Sequence, residues 1–280
     1  MRDPFVLVDN EVIYLYGTTD KNVLYGKADG FLMYKSFDLI NFEGPYEVFS
    51  ASKNFWADMN FWAPEVYKVN GKYIMLASFK AENTCRRSHV LFASSPCGPF
   101  LPAKEPLTPA DWNSLDATFF EYKGKRYTFF CHEWTQIKVG AVCAAQLDEN
   151  FTITGEICDL FKANDVKWTV TNDGTGSFVT DGPFVYDTGE SLVMLWSSMA
   201  ESGYATGLAV HDGSDDLRKG WKLMQHVVPC HKDAGHAMLF KWNNKLYLTL
   251  HSPNIPFGEE RPLFIPVKWN KDKLNFDTEK

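Results

Sequence analysis

Residues 181–196 read DGPFVYDTGESLVMLW, in which an apolar segment, a polar turn and a second apolar segment follow one another. This pattern predicts a β-hairpin. It occurs five times, beginning at Asp3, Trp62, Asp116, Asp181 and His236. These first residues lie 54 to 65 positions apart, which is about the length of one four-stranded blade with its loops. The repeats therefore predict an all-β chain that folds as a five-bladed β-propeller, with residues 1–280 forming a single domain.

A β-sandwich is the main alternative for a chain with many short strands. It does not account for five hairpins in nearly one register. From the first residue to the turn there are eight positions in four repeats and nine in the other. Further strand-like stretches, such as 89–94, 140–145 and 206–210, follow the hairpins and suit the outer strands of blades.

The composition limits the kinds of partner that the chain can have. A net charge of -7 argues against binding of nucleic acid or of an anionic membrane through a basic surface. The six cysteines lack the CxxC spacing of a zinc site and predict free, mostly buried thiols. Met1 is followed at once by Arg2-Asp3, without the apolar segment of a signal peptide. We therefore expect a cytoplasmic protein, or a secreted one if a signal peptide has been removed. The oligomeric state is left open.

The five first residues are expected to meet, because the first strand of each blade is innermost in a propeller. Three of them are aspartates, and Trp62 and His236 complete the set. Carboxyl groups in one confined space repel one another, so at least one should have a raised pKa. Hydrolysis of a glycosidic bond needs one protonated acid and one carboxylate. Aspartate is also a common turn residue, but the shared repeat position favours a catalytic role.

Aromatic residues are frequent in the segments predicted to form the rim of this channel. They are expected to stack on the C–H faces of a sugar, and the alternative is that they belong to the core. The residues concerned are Trp56, Phe61, Trp62, Phe79 and Trp134.

The repeats resemble glycoside hydrolase family 43, whose members are five-bladed propellers that act mainly on α-L-arabinofuranosides and β-D-xylosides with inversion. Residues 2–6 (RDPFV) resemble the opening segment of the family, and residues 62–66 (WAPEV) resemble the start of its second blade. Residues 116–120 (DATFF) match the start of the third. The resemblance covers essentially the whole chain.

The resemblance implies a role for each aspartate. Asp3 corresponds to the general base, and Asp116 to the residue that orients the acid and tunes its pKa. Many relatives carry the general acid as Glu-Gly-Pro, whereas this chain has Asp181-Gly182-Pro183, with a side chain one methylene shorter. Glu133 is the alternative acid, because an antiparallel second strand returns the chain to the same rim.

Residues 235–238 (GHAM) and 250–254 (LHSPN) resemble the fifth blade of members that act on arabinan. There the equivalent of His236 often binds a calcium or sodium ion through water. The resemblance thus implies room for a structural ion, with no cofactor required, and the alternative for His236 is a hydrogen-bonded channel histidine. His251 is expected to contact the substrate. Arg261 is expected either to reach sugar hydroxyls or to be a solvated surface charge.

Together these features predict an inverting glycoside hydrolase that removes terminal sugars from plant-type oligosaccharides or polysaccharides. The resemblance implies α-L-arabinofuranose as the sugar, with β-D-galactofuranose and β-D-xylose as alternatives. A retaining hydrolase of the invertase type shares the Arg-Asp-Pro start but has a Glu-Cys acid motif that is missing here. A propeller that binds sugar without catalysis is the alternative from a different class.

Overall fold

The computed structural model describes residues 1–20, 23–172, 174, 176–270 and 273–276. Within these ranges, twenty strands form five antiparallel sheets of four strands each, and each sheet pairs four consecutive strands. The five-bladed propeller predicted from the repeats is confirmed.

The strands of the five blades have the following bounds. The first blade contains β1 (Arg2–Asp9), β2 (Val12–Thr18), β3 (Gly30–Ser36) and β4 (Phe42–Ser50). The second contains β5 (Met59–Val69), β6 (Lys72–Lys80), β7 (Arg87–Ala93) and β8 (Leu101–Pro102). The third contains β9 (Ser114–Tyr122), β10 (Lys125–His132), β11 (Ala141–Leu147) and β12 (Ile153–Lys162). The fourth contains β13 (Asp181–Asp187), β14 (Leu192–Ala200), β15 (Gly203–His211) and β16 (Trp221–Leu223). The fifth contains β17 (Gly235–Trp242), β18 (Lys245–Ser252), β19 (Arg261–Asn270) and β20 (Lys273–Phe276).

The first strand of each blade lies at the centre of the ring. Strand β1 contacts both β5 and β17, while β9 contacts β5 and β13, and β13 contacts β17. These contacts complete a circle, so the first blade packs against the fifth. The sheet faces between blades are buried, which is why the strands read as nearly continuous apolar runs.

The turns between the two inner strands explain the regular spacing of the repeats. Four of the five are two-residue turns, and both turn residues have positive φ, for example 50° at Asn10 and 64° at Glu11. This is the geometry of type I′ hairpins, for which Asn and Gly are favoured. The fourth blade has a four-residue turn between Asp187 and Leu192.

The largest core cluster contains residues of the first, second, fourth and fifth blades. Four fully or almost fully buried rings, Phe31, Phe49, Phe61 and Phe79, have centroids 4.9 to 6.1 Å apart. Burial of each such side chain contributes roughly 1.5–3 kcal/mol. Phe61 and Phe79 therefore stabilise the packing of the blades.

Helical structure in the described residues is limited to two short segments, α1 (Trp134–Ile137) and a 3-10 turn (Ala163–Asp165). Neither is long enough or apolar enough to cross a membrane. All six cysteines are free thiols, as predicted, but only Cys131 and Cys143 are buried and the other four are partly exposed.

Candidate active site

Every inner strand is bulged where it begins at the central channel. In each inner hairpin the pairing register shifts at this end. Each bulge contains a residue with φ between 46° and 56°, and these residues are Asp3, Ala63, Asp116, Gly182 and His236. Bulges of this kind redirect side chains and are frequent beside active sites.

The bulges define which residues of the five blades are structurally equivalent. Asp3, Asp116 and His236 occupy the bulge position, whereas Trp62 and Asp181 each precede it by one residue. The predicted equivalence of all five first residues is therefore wrong by one position for Trp62 and Asp181. Gly182 occupies the bulge position in the fourth blade, where a Cβ atom would lie only 2.9 Å from the His236 ring.

Residues at the bulge positions and residues just before them open into a single pocket of about 340 Å³. Arg2, Trp62 and Asp181 contribute to its wall, and so do Asp3, Asp116 and His236. Loops of the first, third and fifth blades also border it, through residues such as Leu24, Trp134 and Phe257. The three aspartates, Trp62 and His236 thus meet in one pocket, and its volume is at the lower end of the ~300–1,000 Å³ common for small-molecule sites.

Of the three aspartates in the pocket, Asp3 is the one whose surroundings favour the ionised carboxylate. The Thr18 hydroxyl donates to Oδ2 at 2.6 Å, and His236 Nδ1 lies 3.2 Å from Oδ1. Burial raises the pKa of Asp3, but His236, Arg2, His251 and the Thr18 hydrogen bond outweigh it and lower the pKa to about 2. Asp3 is therefore ionised near neutral pH.

Asp116 and Asp181 are shifted in the opposite direction. Burial and the charge of Asp3 raise the pKa of Asp116 to about 8, although the Gly182 N–H donates to its Oδ2 at 2.9 Å. Burial and the neighbouring Asp116 raise the pKa of Asp181 to about 7, against the effects of His236 and of the Tyr204 hydroxyl. The two groups lie close enough to titrate together. The pair therefore keeps a proton at pH values where Asp3 has none.

His236 is held against the carboxyl groups. Its Nδ1 is 3.2 Å from Asp3 Oδ1 and 3.9 Å from Asp116 Oδ2, and its backbone N–H donates to Ser197 Oγ at 2.8 Å. The geometry favours the interpretation of His236 as a hydrogen-bonded channel histidine.

A small cavity lies beside His236. This enclosed cavity measures about 10 Å³, which is room for one water molecule. Burial raises the pKa of Glu65, which borders this cavity, to about 8. Within the described ranges, no three His, Cys, Asp or Glu side chains are arranged to bind a metal. The structural calcium or sodium ion stays a prediction.

Comparison with known proteins identifies the family. The family model described as "Glycosyl hydrolases family 43" matches residues 1–274. The chain belongs to glycosyl hydrolase family 43. A solved endo-arabinase from Bacteroides thetaiotaomicron is 32% identical, with a TM-score of 0.87 over 98% of this chain and 96% of that one.

Curated relatives of this family 43 propeller are similar over part of their length. An extracellular exo-α-(1→5)-L-arabinofuranosidase from Streptomyces chartreusis is 29% identical over 180 residues, which is 60% of this chain and 52% of the relative. A xylosidase/arabinosidase from Bacteroides ovatus is 28% identical over 140 residues, 44% of this chain and 43% of the relative. The matches thus span about half the length of these relatives.

Two carboxyl groups compete for the role of general acid in this family 43 propeller. The Tyr204 hydroxyl donates to Asp181 Oδ2 at 3.1 Å, and Asp181 has no cationic side chain as a hydrogen-bond partner among the described residues. Glu133 also borders the pocket but forms an ion pair with Arg86. The contacts therefore favour Asp181 over Glu133 as the proton donor.

The predicted sugar-stacking residues divide into two groups. Trp62 and Trp134 border the pocket. Phe61 and Phe79 are fully buried in the core, so the prediction that they lie at the rim is wrong. Trp56 is not part of the pocket wall, and its Nε1 donates to His89 Nδ1 at 3.0 Å.

The prediction of His251 as a substrate contact is also wrong, whereas that of Arg261 stays a prediction. His251 is fully buried behind Asp3, where its Nδ1 accepts the Asp3 N–H at 3.2 Å. Arg261 donates to the carbonyl oxygens of Gly258 and Glu260 and does not border the pocket. His251 therefore helps to position Asp3, and Arg261 stabilises the loop that precedes it.

Sequence reasoning missed Arg2, Tyr204 and Arg86. Arg2 donates to Glu260 Oε1 at 2.9 Å and to Asn254 Oδ1 at 2.7 Å, so it connects the first blade with the fifth beside Asp3. Its position before Asp3 was a usable signal. Tyr204 and Arg86 reach the site from strands and loops far along the chain, and no motif marks them.

Proposed function

We propose that this protein is an inverting glycoside hydrolase that releases terminal α-L-arabinofuranose. The observation that carries the proposal is the opposite shift of two carboxyl groups across one pocket. The pKa of Asp3 is lowered to about 2 and that of Asp181 is raised to about 7. Two carboxyl groups whose environments separate their pKa values in this way are suited to act as base and acid.

Asp3 is the proposed general base. One oxygen is oriented by Thr18 and the other by His236. Because both contacts favour the carboxylate, Asp3 can accept a proton from a water molecule bound in the pocket.

Asp181 is the proposed general acid. With its pKa raised to about 7, Asp181 is partly protonated at neutral pH, and the Tyr204 hydroxyl can stabilise its carboxylate once the proton has left. Asp116 accepts a hydrogen bond from the Gly182 N–H, one residue after Asp181, and the repulsion between the two carboxylates raises the Asp181 pKa. It therefore both orients and tunes the acid.

The proposed reaction is a single displacement. The water oxygen bonds to the anomeric carbon as its proton passes to Asp3, and the bond from that carbon to the leaving oxygen breaks as Asp181 protonates that oxygen. Attack from the face opposite the leaving group inverts the anomeric carbon.

Removal of a terminal sugar is supported by the shape of the pocket. Loops and strands from all five blades contribute to its wall, for example Leu24, Trp62, Trp134, Asp181 and Phe257. A pocket walled by all five blades suits the end of a chain. The names of two arabinose-acting relatives support arabinofuranose as the sugar.

Internal cleavage of arabinan is a second candidate, because the relative that is 32% identical over nearly the whole chain is named an endo-arabinase. Digestion of a linear arabino-oligosaccharide labelled at its reducing end separates the two. Terminal attack yields arabinose and successively shorter labelled chains. Early appearance of mid-length fragments would establish internal cleavage.

The proposal is tested with nitrophenyl α-L-arabinofuranoside, β-D-galactofuranoside and β-D-xyloside. We expect the arabinofuranoside to give the highest kcat/KM. The Asp3→Asn and Asp116→Asn variants should lose most of their turnover. Their thermal melts should still show the cooperative unfolding of a folded protein. Glu121→Gln is a matched control, because Glu121 is an exposed carboxylate of the third blade that lies 3.8 Å from Arg126, outside the pocket.

A sugar-binding propeller without catalysis gives a different result. It would bind arabinose or arabino-oligosaccharides in calorimetry and leave all three glycosides and the oligosaccharides intact. Equal turnover by the wild type and by Asp3→Asn would also contradict the proposal.

A further inference from the structure

Arg86 and Glu133 form a buried ion pair at one wall of the pocket. Arg86 precedes β7 and is 8% exposed, while Glu133 follows β10 and is 5% exposed. Arg86 Nη1 donates to Glu133 Oε2. Its Nη2 donates to Asn60 Oδ1 at 3.2 Å, and its guanidinium carbon lies 3.9 Å from the centre of a Trp62 ring.

The backbone holds both partners in place. Asn113 Oδ1 accepts the Arg86 N–H at 2.9 Å, and the Asn113 carbonyl oxygen accepts the Glu133 N–H at 2.8 Å. One residue therefore fixes the two chain segments that carry the pair. A charge pair fixed in this way loses little side-chain freedom when a ligand binds.

Glu133 has unused hydrogen-bonding capacity towards the pocket. Its Oε2 is bound by Arg86, whereas its Oε1 accepts no hydrogen bond from the described residues, and the side chain borders the pocket. A carboxylate accepts strong hydrogen bonds from hydroxyl groups. A buried acceptor that loses its partner is costly, so such a group discriminates between ligands with and without the matching hydroxyl.

We propose that Glu133 is a specificity-determining residue that accepts a hydrogen bond from a ring hydroxyl of the sugar, and that Arg86 is the positioning residue that aims it. This inference rests on the proposed function and assigns Glu133 a binding role in place of acid catalysis. Trp62, held against the Arg86 guanidinium, supplies the apolar wall beside it.

The test compares the wild type with Glu133→Gln on arabinofuranosides that each lack one ring hydroxyl. For one of these substrates we expect the wild type to lose roughly 10- to 100-fold in kcat/KM, the effect of one hydrogen bond to a charged group. Glu133→Gln should lose less than about threefold on the same substrate. Equal sensitivity of the two proteins to every deoxy substrate would overturn the inference.

Two further readouts separate binding from other roles. Arg86→Lys keeps the positive charge but lacks the two guanidinium nitrogens that bind Glu133 and Asn60, so KM should rise more than kcat falls. Arg86→Met also removes the charge and should raise KM further. If instead Glu133→Gln loses turnover only on substrates with poor leaving groups, Glu133 is the acid and the inference is wrong. Glu121→Gln should behave as the wild type throughout.

Failure of the proposed function would be recognised separately. If the wild type cleaves none of the glycosides, calorimetry with L-arabinose and its monodeoxy forms tests Glu133 by binding alone. The same loss of discrimination in Glu133→Gln is expected there, and its absence would overturn the inference.

Discussion

Replacement of Tyr204 by phenylalanine should move the alkaline limb of the pH–activity profile upward. The Tyr204 hydroxyl donates to Asp181 Oδ2 at 3.1 Å and lowers a pKa that burial and Asp116 raise to about 7. Phenylalanine removes only the hydroxyl. The ring can still pack on His251, 5.6 Å away between centroids.

The size of the effect follows from the strength of one hydrogen bond to a carboxylate. Such bonds contribute about 1.5–3 kcal/mol, and 1.36 kcal/mol corresponds to about one pKa unit. Water in the pocket can replace part of the bond, so we expect a shift of roughly one pH unit. Asp181 would then stay protonated to about pH 8, while the plateau rate falls because its carboxylate is less stable.

The assay is the pH dependence of kcat/KM for nitrophenyl arabinofuranoside and for an arabinobiose, from about pH 4 to about pH 10. Tyr46→Phe, in an exposed tyrosine of the first blade, is the control. An alkaline limb that stays in place or moves to lower pH in Tyr204→Phe would refute the assignment of this limb to Asp181.

Two other variants give three further predictions for the same site. Asp181→Asn should be more stable than the wild type at about pH 8 in thermal melts, by roughly 1–2 kcal/mol. The rise of the Asp181 pKa from 3.8 to about 7 sets an upper bound near ~4 kcal/mol. Between pH 3.8 and about pH 7 the unfolded chain has lost a proton that the folded protein keeps, so the stability of the wild type falls as pH rises. The stability gain of Asp181→Asn over the wild type should therefore vanish at about pH 3.5. A gain that does not change with pH would contradict this. The same variant should lose far more kcat on arabinobiose than on a dinitrophenyl arabinofuranoside, whose leaving group needs little protonation, and equal losses would exclude Asp181 as the acid. Gly182→Ala should lower both melting temperature and activity, since φ is 50° and the new Cβ would meet the His236 ring, and a fully active variant would contradict this.

The propeller could be predicted from sequence because its main signal is local. The spacing between apolar segments and the Asn and Gly residues of the turns reflect the geometry of hairpins, which a few adjacent residues determine. The carboxyl groups at the channel were found for the same reason, since Asp3, Asp116 and Asp181 lie close to the start of a repeat.

The register at the channel could not be predicted, because the bulges break the alternation of the strands. A residue in the left-handed conformation leaves no trace in the apolar pattern unless it is glycine, as at Gly182. Phe61 lies in the core and its neighbour Trp62 borders the pocket, although both were expected at the rim, because successive side chains of a strand point to opposite faces.

Contacts between distant segments were equally inaccessible. Tyr204 reaches Asp181 from the next hairpin, and His251 reaches Asp3 across 248 positions. The ion pair of Arg86 and Glu133 depends on where two blades meet. Only the folded arrangement separates a carboxyl group paired with a cation from one that keeps its proton.

The most direct test of the central claim is the configuration of the first sugar released. Proton NMR of nitrophenyl α-L-arabinofuranoside cleavage, recorded before mutarotation, should show β-L-arabinofuranose as the first product, because Asp3 activates a water molecule on the face opposite Asp181. If α-L-arabinofuranose forms first, a carboxylate attacks the sugar directly, and the assignment of Asp3 as a general base is wrong.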